Sequence, residues 1–162
     1  MNAGAAVARG DVLVFLHADS LLPPAAVETM LAELAATRRR WGRFDVTIAG
    51  RSRLLKVIAA LMNWRSRVTG IATGDQAIFV DHTLFKAIGG FAPLPLMEDI
   101  ALSKALKRVA GAPLCLSTCI VTSGRRWETR GLWRTILCMW RLRLLFLFGV
   151  DPARLARSYE RP

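Results

Sequence analysis

The chain alternates between short, unbroken apolar runs and longer stretches where apolar residues recur every three or four positions. Val12-Leu13-Val14-Phe15-Leu16 has no polar break, which predicts a strand buried on both faces, as in a parallel sheet. Phe44 to Ala49, Gln76 to Val80 and Leu114 to Val121 read as further strands. Between them the period lengthens. Pro23-Pro24 opens a helix with Val27, Met30, Leu31 and Leu34 on one face and Arg38-Arg39-Arg40 in its last turn, where cations suit the dipole. Leu54 to Val68 reads as a helix with Leu54, Ile58, Leu61 and Met62 as its stripe. Leu84 to Ile88 is a short helix stopped by Gly89-Gly90, and Pro93 and Pro95 stiffen the loop after it. Glu98-Asp99 begins a helix with Leu102, Ala105, Leu106 and Val109 inward, and Leu132 to Phe148 forms a last long helix. Met1 to Ala8 reads as a short helix closed by a glycine C-cap at Arg9-Gly10. Strands and helices taking turns predict one α/β domain. The opening helix looks like the crossover of a βαβ unit with no strand before it, so earlier units are expected to be absent.

Composition narrows the class. At 162 residues, 53% of them hydrophobic, the chain is long and apolar enough for a folded core and is not intrinsically disordered. Lys and Arg number 23 against 12 Asp and Glu, a formal charge of +11, which favours anionic partners: nucleic acid, anionic lipid or phosphorylated small molecules. No helix-turn-helix, RNP-like or zinc-finger pattern accompanies that charge, so a nucleic-acid partner is not expected. The three cysteines (Cys115, Cys119, Cys138) lack CxxC spacing; they read as buried thiols in a reducing, cytoplasmic compartment rather than as a disulfide framework or zinc knuckle. No segment reaches the roughly 18 uncharged apolar residues of a spanning helix, and the N-terminus has no secretory signal pattern.

Candidate chemistry gathers at element boundaries. His17-Ala18-Asp19-Ser20 follows the first strand directly, and open α/β sheets bind ligands beyond the carboxyl ends of their strands. A carboxylate there suits Mg²⁺ or Mn²⁺ held against a diphosphate; equally, Asp19 or Ser20 suits a cap on the helix that follows. Gly74-Asp75-Gln76 precedes a strand and reads either as a polar rim or as a tight turn. Glu98 and Asp99 are adjacent acids in a first helical turn, placed for a general base or simply suited to the dipole. Ser123-Gly124-Arg125-Arg126-Trp127 ends the last strand with a phosphate-matching guanidinium pair and an aromatic plate, or with a solvated basic loop. The last helix carries Trp133, Trp140, Arg134, Arg141 and Leu144 to Phe148; it suits a membrane surface or the flank of a sheet or partner.

Together these segments resemble family-2 glycosyltransferases of the GT-A fold. "GDVLVFLHADSLLP" is similar to the family's strand-plus-DxD segment, most of all to a bacterial branch with His-Ala-Asp in place of Asp-x-Asp. Gly74-Asp75-Gln76, Pro95-Leu96-Met97-Glu98-Asp99 and Ser123-x-Arg125-Arg126-Trp127 match that branch in order and spacing, and the likeness runs from Met1 to the Tyr159 region. The resemblance implies a three-layer α/β/α domain with a mostly parallel sheet, incomplete at its N-terminus, over residues 1–130, with 131–162 as a helical extension packing on the domain or at a membrane surface. It implies sugar transfer from a nucleotide-sugar donor to an acceptor, including lipid-linked acceptors common among relatives, with Mg²⁺ or Mn²⁺ at Asp19. Asp99 would be the base, with Glu98 orienting it or binding the acceptor. His17, Asp75, Gln76, Arg125, Arg126 and Trp127 would bind substrates, Arg126 on the departing diphosphate. Full-length relatives begin with additional strand–helix units that hold the nucleotide base, so this chain is expected to be truncated and inactive alone. Peripheral contact at the inner face of the membrane is a further expectation; a non-catalytic basic module docking on anionic membrane or on a protein is the competing one.

Overall fold

The computed structural model describes residues 1–160. Within them one sheet holds β1 (Val12–Phe15), β2 (Ser20–Leu21), β3 (Trp41–Ala49), β4 (Ile78–Asp81) and β5 (Leu114–Ser123), in the order β1-β4-β3-β5-β2. The helices are α1 (Asn2–Val7), α2 (Ala26–Thr37), α3 (Leu54–Thr69), α4 (His82–Ala87), α5 (Glu98–Ala110), α6 (Arg125–Arg130), α7 (Leu132–Leu147) and α8 (Pro152–Glu160).

The sheet is not mostly parallel. Only β3 and β5 pair in parallel; β1 with β4, β4 with β3, and β5 with β2 are antiparallel. β1, β3 and β5 do share a direction, but β4 runs the other way and lies between β1 and β3. An apolar run reports burial and not direction. Even burial is less than the run at Val12 suggests, for β1 is an edge strand paired only with β4, and only Leu13 in it is fully buried.

The strand order forces the sheet to curl. β1 and β2 occupy opposite edges, four strand spacings apart, or ~19 Å at ~4.8 Å each if the sheet were flat. The chain crosses from Phe15 to Ser20 in five residue steps, at most ~18 Å when fully extended. The loop therefore runs straight across the end of the sheet and carries His17 and Asp19 over it.

A second device covers an exposed edge. β4 pairs with β3 only at Trp41–Arg43. Further along, Val46 takes its partners from a side chain: its N–H donates to Asn63 Oδ1 (2.9 Å), and its carbonyl accepts from Asn63 Nδ2 (3.0 Å). One α3 asparagine thus replaces a ladder rung, meeting the need of buried backbone groups for partners. Beside it, Arg43, wholly buried, pairs with Asp45 and donates to Ser66 Oγ (3.1 Å), while Arg67 forks onto Asp45 at 2.8 and 2.7 Å.

Helices cover both faces. Leu13, Trp41, Ile78 and Val80 pack with Ala5, Leu84, Phe85, Leu102 and Leu106 of α1, α4 and α5. Phe44, Val46, Phe79 and Ile120 pack with Ala26 and Met30 of α2. Inward faces differ in detail from the periodic reading. In α2 they are Ala26 and Met30, with Val27 and Leu31 outward; in α3 they are Leu55, Ile58 and Ala59, with Leu54 and Leu61 outward. Val109 of α5 is exposed, and α1 ends on an extended Ala8 instead of a glycine cap. Cys119 is exposed and Cys115 and Cys138 are half-buried, so the thiols are not core residues. Leu142 of α7 and Leu155 of α8 pack on Met97 and Ile100, fastening the C-terminal helices to the start of α5.

Candidate active site

Because β1, β3 and β5 share a direction, their carboxyl ends lie together, and the oppositely directed β4 begins there. His17 and Asp19 leave β1, Gly74-Asp75 lead into β4, and Gly124 to Arg126 follow β5. The Asp19 carbonyl accepts the Ser123 N–H (3.2 Å), and Ser20 Oγ bonds Thr122 Oγ1 (3.0 Å), pinning the crossing loop to the end of β5.

The His17 ring lies so close over Gly74 that any Cβ there would collide with the imidazole. His17 Nδ1 is 3.8 Å from Asp75 Oδ1, an approach too long for a hydrogen bond. The Asp75 side chain is 42% exposed. Loss of water raises its pKa above the ordinary carboxylate value; His17 and then Arg126 pull it down, while Asp99 and Asp19 add to the rise. All four of those charges therefore act on Asp75. Across the gap, Asp99 Oδ2 accepts the Gly74 N–H (3.0 Å), and Oδ1 accepts the N–H of Ile100 (2.7 Å). Asp99 thus ties the first turn of α5 to the turn before β4. Two non-glycine residues with positive φ adjoin this junction, Ala77 (44°) and Met97 (67°). Backbone strain of this kind, about 1–3 kcal/mol per residue, is held where the surroundings over-determine it.

The remaining predicted residues divide. Arg126 is exposed, within charge range of Asp75, and stacks 5.6 Å from the Tyr159 ring centroid. Glu98 is half-buried beside Asp99. Arg125 is exposed, and its N–H only closes the turn on Ser123 Oγ (3.2 Å). Trp127 tucks against Ile48, Leu55 and Ile58. Gln76 does not reach the cleft: it is wholly buried, with Oε1 accepting the Thr73 N–H (3.3 Å) and Nε2 donating to Asn63 Oδ1 (3.3 Å). It shapes the turn that presents Asp75.

Two arginines without a motif join the cleft. Arg65 of α3 senses Arg143 and Asp99; Arg143 of α7 senses Asp99 and Asp75. Burial is the largest influence on each and lowers both, Arg65 to about 10. Each stands in register with its helix's inward stripe: Leu55, Ile58 and Met62 before Arg65; Ile136 and Met139 before Arg143.

Among the described residues, no three His, Cys, Asp or Glu side chains gather to hold a metal ion by themselves. Asp19 is exposed, and its carboxylate makes no hydrogen bond or ion pair with the described residues. That fits a hard cation bound through one carboxylate plus substrate phosphates and water, the usual habit of Mg²⁺. A separate groove between α1 and β1, lined by Ala5, Ala8, Leu13 and Phe15 among others, has only uncharged side chains and does not suit an anionic donor.

The family profile described as "Glycosyl transferase family 2" matches residues 1–88. The chain belongs to glycosyl transferase family 2. Comparison with curated proteins and with solved structures gave no match. For a family-2 glycosyltransferase the reactants are a nucleotide-sugar donor and an acceptor. The matched segment of this family-2 chain includes His17, Asp19, Asp75 and Gln76; Glu98, Asp99, Arg125, Arg126 and Trp127 lie beyond it. No helix among the described residues is long and apolar enough to cross a membrane.

Proposed function

We propose that the cleft transfers a sugar from a nucleotide-sugar donor to an acceptor hydroxyl by single displacement. The supporting observation is the grouping of His17, Asp19, Asp99 and Arg126 around Asp75 at one end of the sheet, in a chain of this family. Asp99 is the base. Held by the Gly74 and Ile100 amides, its carboxylate takes the proton of the acceptor hydroxyl as that oxygen bonds to the sugar's anomeric carbon. The bond from that carbon to the diphosphate breaks, and the nucleoside diphosphate leaves with the electron pair. Arg126 faces the departing charge with a phosphate-matching fork. Asp19 would hold Mg²⁺ or Mn²⁺, which when bound neutralises diphosphate charge. His17 and Asp75 line the donor's path, and Glu98 flanks the acceptor.

The test is calorimetric titration with nucleoside diphosphates in Mn²⁺ or in chelator. Binding is expected to need the metal and to weaken at least tenfold in Asp19→Ala; affinity unchanged by both would remove the metal role. In a transfer assay, Asp99→Asn should lower the rate by roughly 10²–10⁴.

We also propose that α7 rests on an anionic membrane surface. Trp133, Leu137, Trp140, Leu144 and Leu147 form an exposed apolar stripe at helical spacing, with the exposed Arg134 and Arg141 beside it.

A further inference from the structure

The acceptor side of the cleft carries more positive charge than the reaction above uses. Nε and Nη2 of Arg65 are shut off from solvent and hydrogen-bond to none of the described residues. Together they form the side-on edge of a guanidinium, two parallel N–H groups that match two oxygens of one oxyanion. The cleft's own acids do not take that edge. Asp99 gives its oxygens to the Ile100 and Gly74 amides, and Asp45 is occupied by Arg43 and Arg67. Arg143 comes to the same place from α7 and likewise hydrogen-bonds none of the described residues. A guanidinium withdrawn from water beside a second one, with no anion in contact, opposes folding. Burial and Arg143 push Arg65 down to about 10, which reports that cost; Asp99 offsets it only in part.

Packing places this pair by the proposed base. Ile136 of α7 joins the Ile58 cluster of α3, and Met139 and Leu142 pack on Met97 and Ile100 at the start of α5. Arg65 and Arg143 both sense Asp99, and Arg143 also senses Asp75. Two guanidinium charges match a phosphate monoester dianion better than a single carboxylate.

We propose that Arg65 and Arg143 bind a phosphate monoester group on the acceptor and so present its hydroxyl to Asp99. The assignment to the acceptor rests on the transferase reading; the phosphate site itself does not. The phosphate belongs either to a soluble sugar phosphate or to a lipid headgroup.

The test uses inorganic phosphate in the presence of chelator, which silences any metal-dependent donor site, at constant ionic strength. Calorimetry should show binding by the wild type and at least a tenfold loss in Arg65→Met. Arg65→Lys should not restore it, since a point charge lacks the fork. Lys56→Gln, an exposed change on the helix that carries Arg65, should bind like the wild type. Without phosphate, Arg65→Met should melt at or above the wild-type temperature, and phosphate should raise the melting temperature of the wild type alone. Arg143→Gln gives a second, independent reading. The proposal is overturned if Arg65→Met and Arg143→Gln bind phosphate normally, if Lys56→Gln loses it equally, or if Arg65→Met melts several degrees lower, the mark of a structural arginine. Glucose 6-phosphate and vesicles containing phosphatidic acid then separate the sources: Arg65-dependent binding of either one supports the site, and of neither overturns it. Loss of Mn²⁺-dependent nucleoside diphosphate binding would sink the transferase reading and leave these outcomes untouched.

Discussion

Asp75 is the residue around which the charges of the cleft are arranged, and its protonation gives a prediction of definite sign. Its pKa is raised, so the native chain holds that proton more tightly than the unfolded chain. The native state is penalised once the group ionises, and the penalty disappears as pH falls below the ordinary value of 3.8. Asp75→Asn should therefore melt higher than the wild type near pH 7, with the gap closing as pH approaches 3.8. Melting curves of both proteins across that range check it, and a gap independent of pH would rule the account out. At this same scale the sequence was partly legible. The sequence placed His17 and Asp19 just after β1 and Glu98 and Asp99 in the first turn of a helix, and the structure has them there. Gln76 looked like a rim residue because it follows Asp75, but its side chain turns inward to Asn63 and Thr73, and nothing local in the sequence tells a turn residue which way to point. Neither Arg65 nor Arg143 belongs to a motif, so the sequence assigned neither to the site, although Arg143 falls on the face of its helix opposite Arg134 and Arg141. The signal they do carry is an arginine falling on the inward stripe of a helix, seven residues beyond Ile58 in α3 and beyond Ile136 in α7.

At the level of elements, the site depends on α3 being fixed against β3, because α3 carries Arg65 and Asn63 supports the turn before β4. The fixing is ionic as well as apolar: Asp45 sits between the buried Arg43 and the half-exposed Arg67. Asp45→Ala would leave Arg43 buried without its counter-charge, and breaking such a pair costs about 3–5 kcal/mol. For a chain of this size that is a fall of about 6 °C or more in melting temperature. Arg43→Met together with Asp45→Leu should recover much of the loss, because an apolar pair of similar volume carries no unpaired charge. Differential scanning calorimetry of the single and double variants decides it; a single variant as stable as the wild type would show that the pair does not fasten α3. Most helices and the four longer strands were legible from period and composition. β2 was not, being two residues long, nor were α6 and α8, which are six and nine residues long and rich in charge. Strand direction was beyond reach for a physical reason. The apolar run at Val12 would look the same in a parallel interior or against the antiparallel β4, and only the register, Val12 opposite Asp81 and Phe15 opposite Ile78, distinguishes them.

Viewed as a whole, the molecule combines a formal charge of +11 with exposed apolar stripes on two helices: Leu54, Val57, Leu61, Trp64 and Val68 on α3, and Trp133, Leu137, Trp140, Leu144 and Leu147 on α7. Arg65 and Arg143 fall on the inward sides of these helices and the stripes on their outward sides. An anionic bilayer matches this surface in both respects, since lipid phosphates suit the arginines and tryptophan favours the headgroup boundary. A tryptophan that buries half of its ~200 Å² gains ~2.5 kcal/mol at ~25 cal/mol per Å². Trp133→Ser with Trp140→Ser should therefore weaken sedimentation with phosphatidylglycerol vesicles by at least tenfold. Arg134→Gln with Arg141→Gln should instead flatten the salt dependence of the same binding, since screened charge is what salt removes. Equal binding to neutral and anionic vesicles would exclude the electrostatic part. A tryptophan double variant that binds like the wild type would exclude α7 as the contact surface, and α3, with Trp64 in its stripe, would then be the helix to change.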